Sequence, residues 1–185
     1  METYMNIIHR NVNTSPLLPI GYCNSGVSTK YPVIYPMSYV DACAIVKYEI
    51  PEGTKDGPYF TRAPLIEGAN TRSNNTVQNL SSVIILDADS TVGEEEKRGA
   101  PCPYKVHENL KYKGINHLIY RSFSHQLDGY GNRYRIFIPT NKPYSIDELK
   151  DLNEYAIELC GEGLKNVPEN SDWSHAWYLP RRPMK

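Results

Sequence analysis

Long apolar runs are missing from this 185-residue chain. No stretch reaches the roughly 18 apolar residues that a membrane-spanning helix needs, so the sequence predicts no such helix. Paired cysteines are missing too. Cys23, Cys43, Cys102 and Cys160 lie far apart with no C-x-x-C among them, which argues against a zinc ribbon. Scattered single thiols, together with an N-terminus (METYMNIIHR) that has no basic stretch followed by an apolar one, predict a reducing, cytoplasmic setting. An excess of either charge is also lacking: 20 basic against 21 acidic residues give a net charge of −1. A protein that holds nucleic acid usually carries a basic surplus, so any such site here must come from local clusters. Internal repeats and low-complexity tracts are absent. What remains is 40% hydrophobic and 22% charged, the balance of a soluble globular protein with enough chain for one core. Tyrosine is abundant, with fifteen copies; these read as ordinary core and surface residues, and some can stack on bases.

Residues 1–40 are rich in Asn, Ser, Pro and Tyr and predict an irregular arm with short extended pieces. Residues 42–50 fit a helix end or a strand, closed by Pro51 and Gly53, and residues 52–78 read as loop. Residues 82–89 form a short apolar run ending in acid, which predicts a buried strand. After a charged loop over 91–103, a short helix is expected over 104–112, stopped near Gly114. Residues 115–123 and 134–139 predict two strands joined through L-D-G-Y-G-N, a hairpin turn in composition. Ser145 is a good N-cap for a helix with Leu149, Leu152, Ala156 and Leu159 on one face, ended by Gly161 and Gly163. Residues 176–179 predict a last strand. The mixture is α+β, with a largely antiparallel sheet and helices on one face. Residues 1–70 supply an arm and part of the αβ unit, residues 71–185 the core, in one compact domain.

Chemistry concentrates on three segments. In V-I-I-L-D-A-D, strand alternation puts Asp87 and Asp89 on one face, about 7 Å apart at the backbone. Such a pair repels itself, and a divalent ion such as Mg²⁺ or Mn²⁺ relieves the repulsion. A strand end with two solvated acids is the plain alternative. In Y-R-S-F-S-H, Arg121, Phe123 and His125 share a face, and a histidine at a strand end suits a phosphate or a proton; a solvated or structural histidine is the commoner case. In R-Y-R-I-F-I-P, Tyr134, Ile136 and Ile138 are expected to pack against helices. Arg133 and Arg135 then lie together on the other face, near His125, where guanidinium forks can meet phosphate oxygens. Asp172 is a possible third carboxylate.

The order S-S-V-I-I-L-D-A-D, Y-R-S-F-S-H, R-Y-R-I-F-I-P, S-D-W-S-H-A-W-Y-L-P resembles the archaeo-eukaryotic primase superfamily over roughly residues 70 to 180, and within it the primase-polymerase domains of phages and mobile elements, including plasmids. The resemblance implies an RRM-like sheet with an open active-site face and nucleotidyl transfer during DNA replication. Asp87, Asp89 and Asp172 match its metal-binding acids, with His125 and Ser124 at the incoming nucleotide and Arg133, Arg135 and Arg121 as further nucleotide contacts. Implied partners are nucleoside triphosphates, a single-stranded DNA template with primer, and a helicase or replication protein, with Mg²⁺ or Mn²⁺ as cofactor. The zinc-binding cluster of many members is not present. Two other readings stay open: a primase-like DNA-binding module without activity, and a phosphatase of the haloacid-dehalogenase type, whose D-x-D-x-T signature Asp87-Ala88-Asp89-Ser90-Thr91 also fits.

Overall fold

Strand β5 (Leu80–Ala88) is apolar on both faces because both faces are covered, and the rest of the fold follows from that. The structure is a computed structural model that describes residues 18–24, 32–48, 52–53, 56–89, 100–126 and 130–183. The strands before β5 are β1 (Ile20–Cys23), β2 (Ile34–Met37), β3 (Glu52–Gly53) and β4 (Tyr59–Thr61); helix α1 (Tyr39–Tyr48) follows β2. After β5 come α2 (Pro103–Tyr112), β6 (Leu118–Arg121), β7 (Tyr134–Ser145), a 3-10 turn (Ile146–Glu148) leading into α3 (Leu149–Cys160), the one-turn α4 (Pro168–Ser171), β8 (Trp177–Tyr178) and β9 (Arg182–Pro183). The class is α+β, with two antiparallel sheets: β5-β7-β6, and β2-β1-β4-β8. A two-residue parallel pair joins β3 to β9. Among the described residues no helix is long and apolar enough to cross a membrane.

Alternation sorts the core into two layers. Ile84, Leu86 and Ala88 of β5, with Tyr134, Ile136 and Ile138 of β7, face Val106 and Leu110 of α2 and Leu149, Leu152 and Ala156 of α3. Val83 and Ile85, with Phe137 and Tyr120, face the other way, against Ile20, Phe60, Trp177 and the α1 residues Ala42 and Val46. Each fully buried aliphatic or aromatic side chain contributes roughly 1.5–3 kcal/mol. The sheet face expected to stand open is therefore largely covered by the second sheet, whose Phe60 meets Phe137 edge-on at 5.5 Å.

Local chemistry fixes the details. Pairing of β6 with β7 runs from Leu118↔Phe137 to Arg121↔Tyr134, in the hairpin sense expected; residues 127–129 of its turn lie outside the described residues. β7 continues to Ser145, past Pro139, where the sequence suggested an end. Arg133, Arg135 and Phe137 turn their backbone groups toward β6, so Pro139 does the same, and β6 has already run out there. The missing N–H costs the ladder nothing. A register shift between Ser81 and Val83 absorbs the change of course. The Ser145 N–H donates to Glu148 Oε2 at 2.8 Å and opens the 3-10 turn, and Gly161 at φ 101° ends α3. Residues 59–61, read as loop, pair with β1 and β8 instead. Gly21 allows this approach: a Cβ there would lie 2.1 Å from Thr61 Oγ1. Cys23 and Cys160 are buried, Cys43 is half-buried and Cys102 exposed, and none of the four forms a disulfide.

Candidate active site

Asp87 and Asp89 carry odd numbers, like Val83 and Ile85, so they belong to the face covered by the second sheet. They stand where that cover ends. Arg135 is the register partner of Asp87, and Arg133, the residue before β7, meets Asp89, the residue after β5. The result is two cross-strand ion pairs side by side. Arg135 Nε lies 3.3 Å from Asp87 Oδ1, and Arg133 Nε 2.8 Å from Asp89 Oδ1. Neither Nε is aligned on its carboxylate as a hydrogen bond, so at Nε the contact is ionic. All four side chains are mostly shielded, with 8–24% of their surface exposed.

The arginines are held from behind. Arg135 donates from Nη1 to the Tyr178 carbonyl at 2.5 Å and lies 5.9 Å from the Tyr120 ring. Burial works against its charge, yet Asp87, Tyr120 and Tyr178 outweigh that and raise its pKa. Arg133 stacks on Tyr130 at 4.2 Å and donates to Ser124 Oγ at 3.3 Å.

The end of β5 is fixed through a buried polar network. Asn170 of α4 accepts the Asp87 N–H on Oδ1 at 2.6 Å. The Asn170 carbonyl accepts from Arg62 Nη2 and Asn153 Nδ2, both at 2.7 Å. Arg62 is fully buried, donates also to the Ile85 carbonyl at 3.2 Å, and lies over the Trp177 ring at 4.8 Å. Burial lowers its pKa, but an arginine keeps its proton at any working pH. One guanidinium thus ties α4, β5 and β8 together.

A cavity of about 180 Å³ opens over the acids. Asp87, Asp89, Arg133, Arg135 and Ser124 are brought together in its lining. Three expected residues lie elsewhere. Arg121 is exposed and borders a different groove, as does His125. The His125 Nδ1 faces the Arg133 peptide, 3.0 Å from its N and 3.1 Å from its O, because the chain bends back at residues 122–126 instead of continuing extended. Asp172 does not line the cavity: its Oδ1 accepts from the Ser174 N–H at 3.0 Å and from Ser174 Oγ at 3.1 Å, closing a turn after α4.

Two residues that the sequence reading left out take those places. Glu169 lines the cavity from α4, and its Oε2 is buried without a hydrogen-bond partner. His175 enters from the turn before β8, packed edge-on to Trp177 at 5.0 Å with Nδ1 3.8 Å from Asp172 Oδ2. Burial lowers the His175 pKa and Arg135 pushes the same way, against Asp87, Asp172 and Glu169, so the ring is neutral at neutral pH. The signal available for both was their closeness to Asp172 in S-D-W-S-H and P-E-N-S-D. Comparison with protein-family models, curated proteins and solved structures gives no match.

Among the described residues, no group of three or more His, Cys, Asp and Glu side chains is arranged to hold a metal ion. The donors that suit a hard divalent ion are Asp87 and Asp89, which share one face and one cavity. Mg²⁺ commonly takes one or two protein carboxylates and completes its shell with water and substrate phosphates, and two acids fit that need. As the side chains stand, the arginines supply the positive charge.

Proposed function

We propose that the cavity over Asp87 and Asp89 is a nucleotidyl-transfer site of the primase-polymerase kind, acting on nucleoside triphosphates with a template and primer. The observation that carries this reading is the square of two carboxylates and two guanidiniums at the end of β5 and β7, opening into one cavity. Asp87 and Asp89 would hold Mg²⁺ or Mn²⁺, and the bound ion supplies neutralisation of charge at the phosphates during in-line attack of a 3′-hydroxyl. With the acids engaged elsewhere, Arg133 and Arg135 would be available to phosphate oxygens, for which their forks are shaped. The Ser124 hydroxyl can donate to the same group. His175, neutral, can accept a proton at Nε2, the ring nitrogen away from Asp172. Positioning and charge neutralisation would supply most of the rate.

Asp87→Ala and Asp89→Ala are expected each to abolish extension of a labelled primer with Mg²⁺ or Mn²⁺ while far-UV circular dichroism stays unchanged. Unreduced extension by both variants would end the proposal.

A second reading has an observation in its favour: each acid is already matched by an arginine. A module of this fold could bind DNA without transfer, and its DNA affinity would then be indifferent to Asp87→Ala. The phosphatase alternative finds less support, since among the described residues β5 pairs only antiparallel and lies at a sheet edge, whereas that chemistry is expected on a parallel sheet. Template-free turnover of p-nitrophenyl phosphate is the outcome that would favour it.

A further inference from the structure

A larger groove of about 840 Å³ runs along the other side of the β6–β7 hairpin, where β6 is the last strand of its sheet. Its floor is apolar, with Val46, Leu118, Phe123 and Pro180. Lys47, Arg121 and Arg181 line it as well, and among the described residues no carboxylate does. In a chain with net charge −1, a lining with three fixed cations and no acid is a local choice, not a reflection of composition.

The backbone of β6 adds direction. The Ser122 N–H donates to the Arg133 carbonyl, so Ser122, Tyr120 and Leu118 turn their peptide groups toward β7. Ile119 and Arg121, between them, turn theirs away from β7. Among the described residues no strand pairs with that side of β6, and an unpaired strand edge of this kind is a template for another strand.

We propose that the β6 edge is a docking strand for a protein partner, which adds an extended, acidic and apolar peptide to the sheet. The partner's backbone would pair with Ile119 and Arg121, its apolar side chains would settle toward Val46 and Phe123, and its carboxylates would meet Arg121, Lys47 and Arg181. A single-stranded nucleic acid suits the groove less well. Single-strand platforms rely on rings free to stack; Tyr120 is buried and packed on Phe137 at 5.6 Å, which leaves Phe123 as the one further Phe or Tyr ring in the lining. The groove shares Ser122 and Phe123 with the cavity over Asp87, so a docked peptide would lie beside that cavity. The inference rests on the sheet edge and its charge, and stands whether or not the site transfers nucleotides.

The test uses the full chain and a fluorescein-labelled nonapeptide of alternating Asp and Val, read by fluorescence anisotropy. Saturable binding is expected, weakened at least tenfold by Arg121→Glu, an exposed substitution that leaves the core alone. Ile119→Pro removes the outward N–H without touching the bonds to β7 and is expected to weaken binding as much. A peptide with Lys in place of Asp should not bind, and a nine-nucleotide oligo-dT should not displace the acidic peptide. Absence of saturable binding, equal binding of the lysine peptide, undiminished affinity in Arg121→Glu, or displacement by oligo-dT would each overturn the proposal.

Discussion

At the scale of single residues, the site is a matter of which charges face each other once water is excluded. Asp87 and Asp89 would repel strongly if left alone on their shared face, and Arg135 and Arg133 stand where that repulsion is relieved. His175 sits beside this square, and its environment makes a claim about pH. Burial first, and Arg135 second, hold its pKa below the ordinary value of about 6.5, so the folded chain prefers the neutral ring. Its contribution to stability is then complete above about pH 6.5 and is lost as pH falls toward the folded pKa, because the unfolded chain takes up the proton first. His117 and His125 shift in the same direction, both chiefly through burial, and add to the slope. Urea unfolding between pH 5 and 7.5 should show stability falling below about 6.5, with a shallower fall in His175→Asn. An identical slope in the variant would show that His175 is not held neutral by the fold.

At the scale of elements, the one-turn helix α4 fixes the acid-bearing end of β5 even though it contributes little core of its own. Asn170 holds the Asp87 peptide, and the Asn170 carbonyl collects Arg62 and Asn153. Asn170→Ala removes the acceptor of the part-buried Asp87 N–H, at a cost of about 1 kcal/mol. A lower urea midpoint with an unchanged slope would report this; an unchanged midpoint would mean that another acceptor replaces Asn170. The same helix marks the limit of what the sequence discloses. β5, β7 and α3 are legible because each carries a long periodic pattern: a continuous apolar run, alternation between Arg133 and Ile138, and Leu149–Leu152–Ala156 behind a Ser145 cap. β4 is three residues long and its partners lie some forty and more than a hundred positions away, while β1 and β2, though close in sequence, are four residues each, too short to carry a period. Asp87, Asp89, Arg133 and Arg135 were readable together because two strand patterns put them on matching faces. Glu169 and His175 were not, since they reach the cavity from one helical turn and one bend, which have no period. Asp172, the acid chosen instead, is spent on the Ser174 turn.

At the scale of the whole molecule, two sheets and a helical layer enclose β5 and β7 along most of their length and leave one end uncovered. Asp87 and Asp89 are balanced there by Arg133 and Arg135, and Glu169 adds one acid beyond that balance. A nucleotide brings several negative charges, so alone it gains the arginines only by stripping the acids of their partners. A divalent ion alone gains the acids only by doing the reverse. The two ligands together restore the balance, each compensating the partner that the other removes. Binding should therefore be cooperative: Mn²⁺ alone and a deoxynucleoside triphosphate alone should each raise the melting temperature little, and both together substantially more. A ligand at a hundred times its Kd stabilises by about 2.7 kcal/mol, several degrees for a chain of this size. Asp87→Ala should lose the joint shift. Additive single-ligand shifts, or a joint shift that survives Asp87→Ala, would mean that phosphate and metal do not meet over these acids, and the transfer chemistry would have no site here.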